Sequence, residues 1–360
     1  MDPDHSSWLN GHIAWLIERG WWPSDRPRRP WRPAVYGTVV LLAFVTGLAM
    51  PRSYSVRVGS PAATSSGFPT PATTGYPAGQ SFSTTPLEVD GTAHAVTTDN
   101  AVLDGVHVGG DLLIRAANVT IRNSWIEGSV YNDWAGAYQH YEIYDSTITY
   151  SPGINSFNCN VQPGLLWSNY IARRVNITGH DDGFRYTEGG PVDIRDSFWR
   201  GCWVDETVSP PDGSHSGGIQ AQCSPGFTCG SLTMVHNNLD NDQRCVAPLV
   251  PPCAGIPEGE LIGNSGISVQ SFSGNVVDGP VLVQNNLVSG GGYTMPIWWF
   301  GGTNDYTFTD NKIVSGQYSF GPVDGVGCAH QTWTGNTLVT LVDEVNYAIA
   351  STVRSVDCSG

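Results

Sequence analysis

Lysine is almost absent from this sequence, and charged residues of either sign are scarce. Lys312 is the only lysine among 17 basic residues, and charged residues make up 14% of the chain. With 32 acidic residues against those 17, the formal net charge is −15. Because binding to nucleic acid requires clustered lysine and arginine, this composition argues against a nucleic-acid partner.

Cysteine is missing from the first 150 residues, and all eight cysteines lie beyond that point. No two of them have the C-x2-C spacing of a zinc site, which argues against structural zinc. An even number in one region predicts disulfides in an oxidising compartment. Cys223 with Cys229 and Cys245 with Cys253 are plausible local pairs. Three pairings then remain open for the other four, which are Cys159, Cys202, Cys328 and Cys358.

Long hydrophobic runs are also lacking, with one exception at residues 34–50. This stretch is uncharged and has 17 residues, the short end of the ~17–25 that a spanning helix needs. Four arginines lie just before it, at positions 26, 28, 29 and 32, and only Arg52 and Arg57 follow closely, which predicts a cytoplasmic N-terminus. We expect an uncleaved anchor in the plasma membrane. A cleaved signal peptide is the alternative, but the preceding region is long for one and no clear A-x-A site follows.

The segments on either side of this run differ from the rest in composition. Residues 1–33 are rich in Trp, Arg and Pro; they suit a membrane-surface helix or a disordered cytoplasmic tail. Residues 51–85 consist mainly of Pro, Ser, Thr, Gly and Ala, and we interpret them as an extended linker. Residues 86–360 form the predicted extracellular domain.

A repeated pattern begins at about residue 86. It reads apolar, x, apolar, x, Asn/Asp/Gly, small or Asn, x, apolar, and Arg174 stands in one copy where Asn or Asp is expected. The equivalent positions are separated by 22, 29, 22, 41, 48, 25 and 25 residues, and they are Ile121, Ile143, Ala172, Ile194, Val235, Val283, Phe308 and Trp333. A base period of 22–25 residues with insertions predicts a solenoid of short strands.

The pattern resembles the right-handed parallel β-helix of the pectate lyase and polygalacturonase superfamily, over about residues 88–345. The resemblance implies an all-β solenoid domain, which would follow the single N-terminal transmembrane helix predicted from residues 34–50. Asn or Asp at the bend suits left-handed backbone and can bond to its equivalent one coil away.

A second set of strands precedes these repeats. Alternation predicts that Ile154, Phe184, Ile219, Ile267 and Ile297 point into the core. The residues after them then form one outward row, which is Asn155, Arg185, Gln220, Ser268 and Trp298. Gln222 and Gln270 would lie in the next outward row. This polar row, with Trp298 as a sugar-stacking surface, is the expected substrate-binding surface.

A motif written twice provides the candidate catalytic residues. His180-Asp181-Asp182-Gly183 and His215-Ser216-Gly217-Gly218 are 35 residues apart, and each leads into a strand of the second set. If the copies occupy neighbouring coils, their polar side chains fall in one patch with Arg185. The alternative interpretation is structural: the Asp-Asp-Gly string makes a turn and the histidines cap turns.

The superfamily resemblance implies two reactions on a polysaccharide. In β-elimination, Asp181 and Asp182 could hold Ca²⁺, Arg185 could bind the uronate or act as base, and His180 or His215 could move the proton. For hydrolysis, Asn155, Asp181-Asp182 and His215 are similar to parts of the polygalacturonase motifs, but the R-x-K motif is absent. An inverting reaction also needs one protonated carboxyl and a second ~6.5–9.5 Å away, whereas adjacent Asp residues alternate sides in a regular strand. Lys312 lies several coils away, which argues against a lysine-dependent lyase.

We therefore expect a monomeric, membrane-anchored extracellular β-helix that binds a polysaccharide and cleaves it as a lyase or hydrolase. The alternative from a different class is a non-catalytic glycan-binding adhesin or a structural surface protein. The missing lysine and the incomplete family motifs favour that alternative.

Overall fold

The computed structural model describes residues 67–84, 87–132, 139–150, 162–187, 189–202, 216–223, 229–242, 263–270, 279–299, 306–343 and 345–360. Within these ranges the chain forms 29 β-strands, one 3-10 helix at Cys328–His330, and no α-helix. The expectation of an all-β domain is therefore confirmed.

The strands follow one another at short intervals along the chain. The first ten are β1 (Glu88–Asp90), β2 (Ala93–Val96), β3 (Val102–Asp104), β4 (His107–Val108), β5 (Leu112–Ile114), β6 (Val119–Arg122), β7 (Trp125–Ile126), β8 (Val130–Asn132), β9 (Tyr141–Tyr144) and β10 (Thr147–Thr149). The next ten are β11 (Leu165–Leu166), β12 (Tyr170–Arg173), β13 (Asn176–Thr178), β14 (Phe184–Tyr186), β15 (Val192–Arg195), β16 (Phe198–Arg200), β17 (Gly217–Gln222), β18 (Leu232–Val235), β19 (Asn238–Asn241) and β20 (Ser265–Gln270). The last nine are β21 (Val281–Gln284), β22 (Leu287–Gly290), β23 (Tyr293–Trp298), β24 (Tyr306–Thr309), β25 (Lys312–Val314), β26 (Gly321–Val326), β27 (Gln331–Thr334), β28 (Thr337–Leu341) and β29 (Ile349–Ser355).

These strands stack into three sheets, because each strand from β2 to β25 pairs with the strand three places further along the chain. Sheet 1 runs from β3 to β27 through β6, β9, β12, β15, β18, β21 and β24. Sheet 2 runs from β4 to β28 through β7, β10, β13, β16, β19, β22 and β25, and ends on β29. Sheet 3 runs from β1 and β2 to β26 through β5, β8, β11, β14, β17, β20 and β23. Pairing is parallel except at the two ends, where β1 meets β2 and β28 meets β29 antiparallel. This is the arrangement of a parallel β-helix, with each coil contributing one strand to each sheet.

The strand register corrects three of the predicted positions, one in sheet 1 and two in sheet 3. Ile194 pairs with Met234, which in turn pairs with Val283, so Met234 holds the place assigned to Val235. Both residues are apolar, and the alternation alone did not separate them. In sheet 3 the predicted alignment of Phe184, Ile219 and Ile267 is confirmed. The strand below Phe184 carries Leu165, however, not Ile154, and Ile297 pairs with Val269 rather than Ile267.

The bend between sheets 1 and 2 has the left-handed backbone that the pattern predicts. Its residue has a positive φ in eight successive coils, and these residues are Asn123, Asp145, Arg174, Asp196, His236, Asn285, Asp310 and Gly335. Arg174, the exception to the Asn or Asp pattern, has φ 51°. Its guanidinium makes a bidentate ion pair with Asp145 of the preceding coil, at 2.6 and 2.7 Å. This pair joins equivalent positions one coil apart, as the sequence predicts.

The next residue in each coil points inward and forms a ladder of hydrogen bonds. The backbone N–H of each member donates to the side-chain oxygen one coil further on, at 2.9–3.0 Å from Ser197 to Asn336, through Asn237, Asn286 and Asn311. Nearer the N-terminus, serines hold the same position and accept at 3.1–3.2 Å. Val175 interrupts the series, since it has no side-chain oxygen. The ladder satisfies buried backbone groups that the turns leave unpaired.

The core fills the space between the three sheets. Its fully buried side chains include Tyr141, Tyr170, Phe184, Trp199 and Phe308. At the C-terminal end Val356 covers the core, and the Cys328–Cys358 disulfide holds this final segment. The predicted Cys223–Cys229 disulfide is confirmed, and Cys328–Cys358 is one of the three pairings left open. The Cys245–Cys253 pair lies outside the described residues.

A segment before the first strand, residues 67–83, lies along the outer face of sheet 2, and we call it the strap. Near its start, the Phe68 ring stacks on His236 with centroids 5.5 Å apart. Further along, the Gly75 N–H donates to the Arg174 carbonyl oxygen at 2.8 Å. Its last residues pair with the first coil.

Strands β28 and β29 form an antiparallel hairpin at the C-terminus. The strap and this C-terminal hairpin enclose a second apolar cluster outside the β-helix. Its members are Phe198, Leu287, Val314, Val339 and Tyr347, with Phe68 and Leu341 packed against them. The assignment of residues 51–85 to an extended linker is therefore wrong from residue 67 onward, because a few aromatic side chains are enough to bind the strap to the sheet. Residues 67–83 belong to the same compact unit as the β-helix.

The predicted anchor at residues 34–50 lies outside the described residues, as do residues 1–33. Within the described residues, no helix is long and apolar enough to cross a membrane.

Candidate functional site

A buried polar cluster joins the two neighbouring coils that carry the doubled motif. The Arg185 guanidinium donates to Asp182 Oδ2 at 2.7 Å and to Gln220 Oε1 at 2.8 Å. The second carboxylate oxygen of Asp182 accepts from the Gly217 backbone N–H at 2.8 Å. Arg185 and Gln220 are also direct partners in the sheet register. The prediction that these three side chains lie together is therefore confirmed.

Glycines before β14 and β17 allow the coils to approach closely at this site. A Cβ on Gly218 would lie 2.3 Å from the Gly266 carbonyl oxygen and 2.9 Å from Leu239 Cβ. A Cβ on Gly183 would lie 2.7 Å from both the Gly218 oxygen and Trp199 Cγ. Both distances are shorter than van der Waals contact, so core side chains of sheet 2 occupy the space that a larger residue would need. The Gly in each copy of the motif is thus explained by packing.

The cluster lies on the outer side of sheet 3, yet it is closed off from solvent. Phe184 and Tyr186 face the core while Arg185 does not, as the predicted alternation requires. The side chains are nevertheless hidden: Asp182 is 2% exposed, Arg185 8% and Gln220 7%. The expectation of an open outward row at this place is wrong.

Burial changes the acidity of Asp182. Loss of solvation raises the pKa of this carboxyl to about 6, although the Arg185 charge and the Gly217 N–H favour the ionised form. Catalytic acids often have a buried carboxyl whose pKa is near neutrality, but carboxyls in structural ion pairs also have shifted pKa values.

His180 is completely buried, and its polar partners among the described residues are backbone groups. Its Nδ1 lies 2.9 Å from the Gln162 carbonyl oxygen, which can only accept, so Nδ1 carries the proton. The Tyr150 ring meets it edge-on, with centroids 6.4 Å apart. Burial lowers the pKa of His180 to about 4, and bonds to the backbone of Gln162 and Thr149 offset this only in part. The residue is therefore neutral at pH 7, and its contacts are those of a structural histidine.

Three other residues of the predicted site remain, which are His215, Asn155 and Asp181. His215 and Asn155 lie outside the described residues. Asp181 is partly exposed and takes part in interactions of its own. In the part of the chain that the structure describes, no group of three or more His, Cys, Asp or Glu side chains could hold a metal ion. The two carboxylate oxygens of Asp182 accept from Arg185 and Gly217, an arrangement that serves a cationic side chain rather than calcium.

The next outward row of sheet 3 is polar as well; Gln222 is partly exposed in it, while Gln270 is buried. Gln222 Nε2 donates to Gln270 Oε1 at 2.9 Å, and the two residues are in register as predicted. Trp298 extends this row, since it pairs with Gln270 rather than with Ser268. Its indole N–H donates to Asp324 Oδ2 at 2.9 Å, and the side chain is only 8% exposed.

Sheet 1 presents the opposite situation on its outer surface. Every outward residue of its nine strands is at least partly exposed, in two parallel columns that we call the sheet 1 face. One column contains Val102, Thr120, Glu142, Ile171, Asp193, Thr233, Leu282, Thr307 and Thr332, and the other contains Asp104, Arg122, Tyr144, Arg173, Arg195, Val235, Gln284, Thr309 and Thr334. Neighbouring members of a column are ~4.8 Å apart, the spacing of paired strands.

Charged side chains on the sheet 1 face are held across coils by hydrogen bonds. Arg173 binds both oxygens of Asp193 at 3.0 and 2.6 Å, and Arg195 binds the same carboxylate at 2.9 and 3.2 Å. The Tyr144 hydroxyl donates to Glu142 within its own strand at 2.5 Å. Burial alone would raise the pKa of Asp193, but the two arginines bring it below its ordinary value. The carboxylate is therefore ionised at neutral pH.

Sequence reasoning missed this surface. The repeat alignment depends on inward apolar positions and the predicted site on the doubled motif, so neither singles out the outward residues of the repeated segments. The signal was present in the sequence, because the x positions of the repeat carry Arg, Asp, Tyr, Glu and Thr in successive copies. Alternation could have placed them on one face, but their exposure depends on what covers each sheet.

Comparisons with protein-family models, with curated proteins and with solved structures found no match. The parallel β-helix arrangement therefore rests on the strand pairing described above, and membership of the superfamily that the repeats resemble is not shown.

Proposed function

We propose that this chain is a non-catalytic polysaccharide-binding protein that presents its β-helix on the outer side of the cell membrane. The observation that carries the proposal is the contrast between two polar surfaces. The Asp182–Arg185–Gln220 cluster is buried and bonded within itself, while the sheet 1 face is exposed along nine strands.

Binding of a polymer suits a surface that repeats at a short interval. A sugar chain presents hydroxyl groups in a repeating order, and planar polar side chains such as Arg, Asp and Tyr recognise such groups by paired hydrogen bonds. Rigid side chains lose little conformational freedom on binding. The ion-paired arginines of the sheet 1 face are already fixed in this way.

An extracellular location fits the covalent structure of the domain. The Cys223–Cys229 and Cys328–Cys358 disulfides are of the kind that persists in oxidising compartments. The proposal also includes attachment to the membrane through residues 34–50, with residues 1–33 in the cytoplasm. This part is supported only by the sequence pattern.

The test is to incubate the full chain with an array of neutral and uronate-containing glycans and to follow binding and products together. We expect retention on at least one glycan without new reducing ends or unsaturated sugars. Absence of binding to every glycan would overturn the proposal and leave a purely structural surface protein.

Cleavage of the polysaccharide is the second candidate, and the pKa of Asp182, raised to about 6 by burial, favours it. A protonated carboxyl beside Arg185 and Gln220 could act as a general acid. This function predicts product formation that falls as the pH passes about 6 and disappears in Asp182→Asn. Product formation that survives in a folded Asp182→Asn protein would exclude this role for Asp182.

A further inference from the structure

The three sheets differ in how much of their outer surface solvent can reach. In sheet 3 the outward column that contains Arg185 and Gln220 is almost entirely buried from Ala95 to Pro296. The strap and the C-terminal hairpin pack on the outer face of sheet 2 and bury part of it, including Phe198, Asn238 and Leu287. Within the described residues, sheet 1 is therefore the sheet whose outer face is open from its first strand to its last.

The charges of the sheet 1 face balance. Its two columns contain three arginines, Arg122, Arg173 and Arg195, against the three carboxylates of Asp104, Glu142 and Asp193. Every one of these arginines contacts one of these acids: Arg122 lies 2.9 Å from Asp104, and Arg173 and Arg195 share Asp193. The chain as a whole carries a net charge of −15. A polyanion would gain little from a neutralised face and would be repelled by the remainder of the protein.

The ordered part of the face is centred on four residues of three consecutive coils. Tyr144, Arg173 and Arg195 are successive members of one column, and Asp193 connects the last two. Arg173 is fixed further by bonds to the Ala172 and Asp193 carbonyl oxygens at 3.1 and 3.0 Å. The side chains are still accessible, with Arg195 44% exposed and Asp193 24%.

We infer that Tyr144, Arg173, Asp193 and Arg195 form the binding surface for a neutral polysaccharide that lies along the β-helix axis. The inference rests on the proposed polysaccharide-binding function and specifies its location and its ligand class. The Tyr144 ring provides an apolar edge for a sugar ring, while the guanidinium groups and the Asp193 carboxylate bond to hydroxyl groups on successive sugars.

The experiment compares Arg195→Ala, Asp193→Ala and Arg195→Lys with the unchanged full chain. The probes are hydroxyethyl cellulose, laminarin and galactomannan as neutral polysaccharides and polygalacturonate as the anionic one. The control is Arg354→Ala, because Arg354 lies on the exposed β29 and outside the sheet 1 face. Circular dichroism shows that each variant is folded, which we expect because exposed ion pairs contribute little to stability.

We expect affinity for a neutral polysaccharide to fall about tenfold in Arg195→Ala and Asp193→Ala, the loss of one or two hydrogen bonds to a charged group. Arg195→Lys should also weaken binding, since it keeps the charge but loses the planar fork, and Arg354→Ala should bind normally. If the unchanged chain binds and both alanine variants bind equally well, the location is wrong while polysaccharide binding stands. Tighter binding of polygalacturonate than of any neutral probe would overturn the ligand class. No binding to any probe or array glycan would overturn the proposed function itself.

Discussion

Two arrangements of arginine and aspartate on different sheets of this β-helix have the same chemistry and opposite surroundings. On sheet 3, Arg185 bonds to Asp182 and Gln220. The Arg185 side chain is 9% exposed and that of Asp182 is 3% exposed. On sheet 1, Arg173 and Arg195 bond to Asp193 with side chains 19%, 44% and 24% exposed. Both arrangements link adjacent coils.

Burial, more than residue type, distinguishes the two arrangements: it closes the sheet 3 cluster to solvent and leaves the sheet 1 residues accessible to a ligand. The sheet 3 cluster matches the motif that the sequence makes conspicuous, but it is closed to solvent. The sheet 1 group of Arg173, Asp193 and Arg195 is inconspicuous in the sequence, and its side chains remain accessible to solvent. Breaking either arrangement should therefore have different consequences for stability and for binding.

The largest effect is expected for Asp182→Ala. Removing the carboxylate leaves the buried Arg185 charge without its ion-pair partner, and the free energy of unfolding should fall by about 3–5 kcal/mol. The matched change on sheet 1, Asp193→Ala, should cost less than about 1 kcal/mol, because solvent replaces the lost contact. Denaturant unfolding of both variants measures this comparison, and equal losses would contradict it.

A smaller effect is expected from breaking the internal ladder at Asn286. Asn286→Ala removes the acceptor of the Asn237 N–H and the donor to the Met234 carbonyl oxygen. Leaving such buried groups unpaired should cost about 2–3 kcal/mol. Asn285→Gly is the control, because it keeps the left-handed bend and removes only an exposed side chain. A ladder without a role in stability would give the two variants the same denaturant midpoint.

Two buried groups near the doubled motif should oppose each other in the pH dependence of stability. Asp182, with its pKa raised from 3.8 to about 6, contributes stability below pH 3.8 that is lost as the pH rises through 6. His180, with its pKa lowered from 6.5 to about 4, contributes stability above pH 6.5 that is lost as the pH falls through 4.

The unchanged chain should therefore show little net pH dependence from these two groups between pH 4 and 6. In His180→Phe only Asp182 remains, so the melting temperature should decrease with rising pH over that window. In Asp182→Asn only His180 remains, so the melting temperature should increase. Parallel pH profiles for the two variants would contradict the assigned shifts.

A further loss of stability, smaller than that of Asn286→Ala, is expected in the strap. Phe68 is partly exposed and packs against the apolar cluster outside sheet 2, so Phe68→Ala should cost about 1–2 kcal/mol, less than a fully buried phenylalanine. Protease cleavage within residues 67–83 should become faster in this variant. Unchanged cleavage and stability would show that the strap does not depend on this contact.

Local periodicity was sufficient to predict much of the fold. The alternation of apolar residues and the Asn or Asp at the bend predicted the stacked strands, the left-handed turns and the alignment of Phe184, Ile219 and Ile267. It failed where two apolar residues compete for one place, as with Met234 and Val235, since either satisfies the pattern. It also missed the strap, because a few aromatic contacts in a Pro- and Thr-rich segment leave no periodic signal.

The candidate site was predicted in position but not in character. Equivalent places in neighbouring coils correctly brought Asp182, Arg185 and Gln220 together. Alternation distinguishes the core side of a strand from the outer side, but it does not show what covers the outer side. For that reason the buried sheet 3 row was expected to be open, and the exposed residues Arg173, Asp193 and Arg195 were overlooked.

Carboxyl footprinting of the full chain, with and without a bound neutral polysaccharide, tests the contrast between the two sheets most directly. A water-soluble carbodiimide and an amine should label Asp193, and the label should decrease when the polysaccharide is bound. Asp182, whose side chain is 3% exposed, should remain unlabelled in both states. Labelling of Asp182 as fast as Asp193, or protection of Asp182 instead of Asp193 by the polysaccharide, would contradict the assignment of the open binding surface to sheet 1.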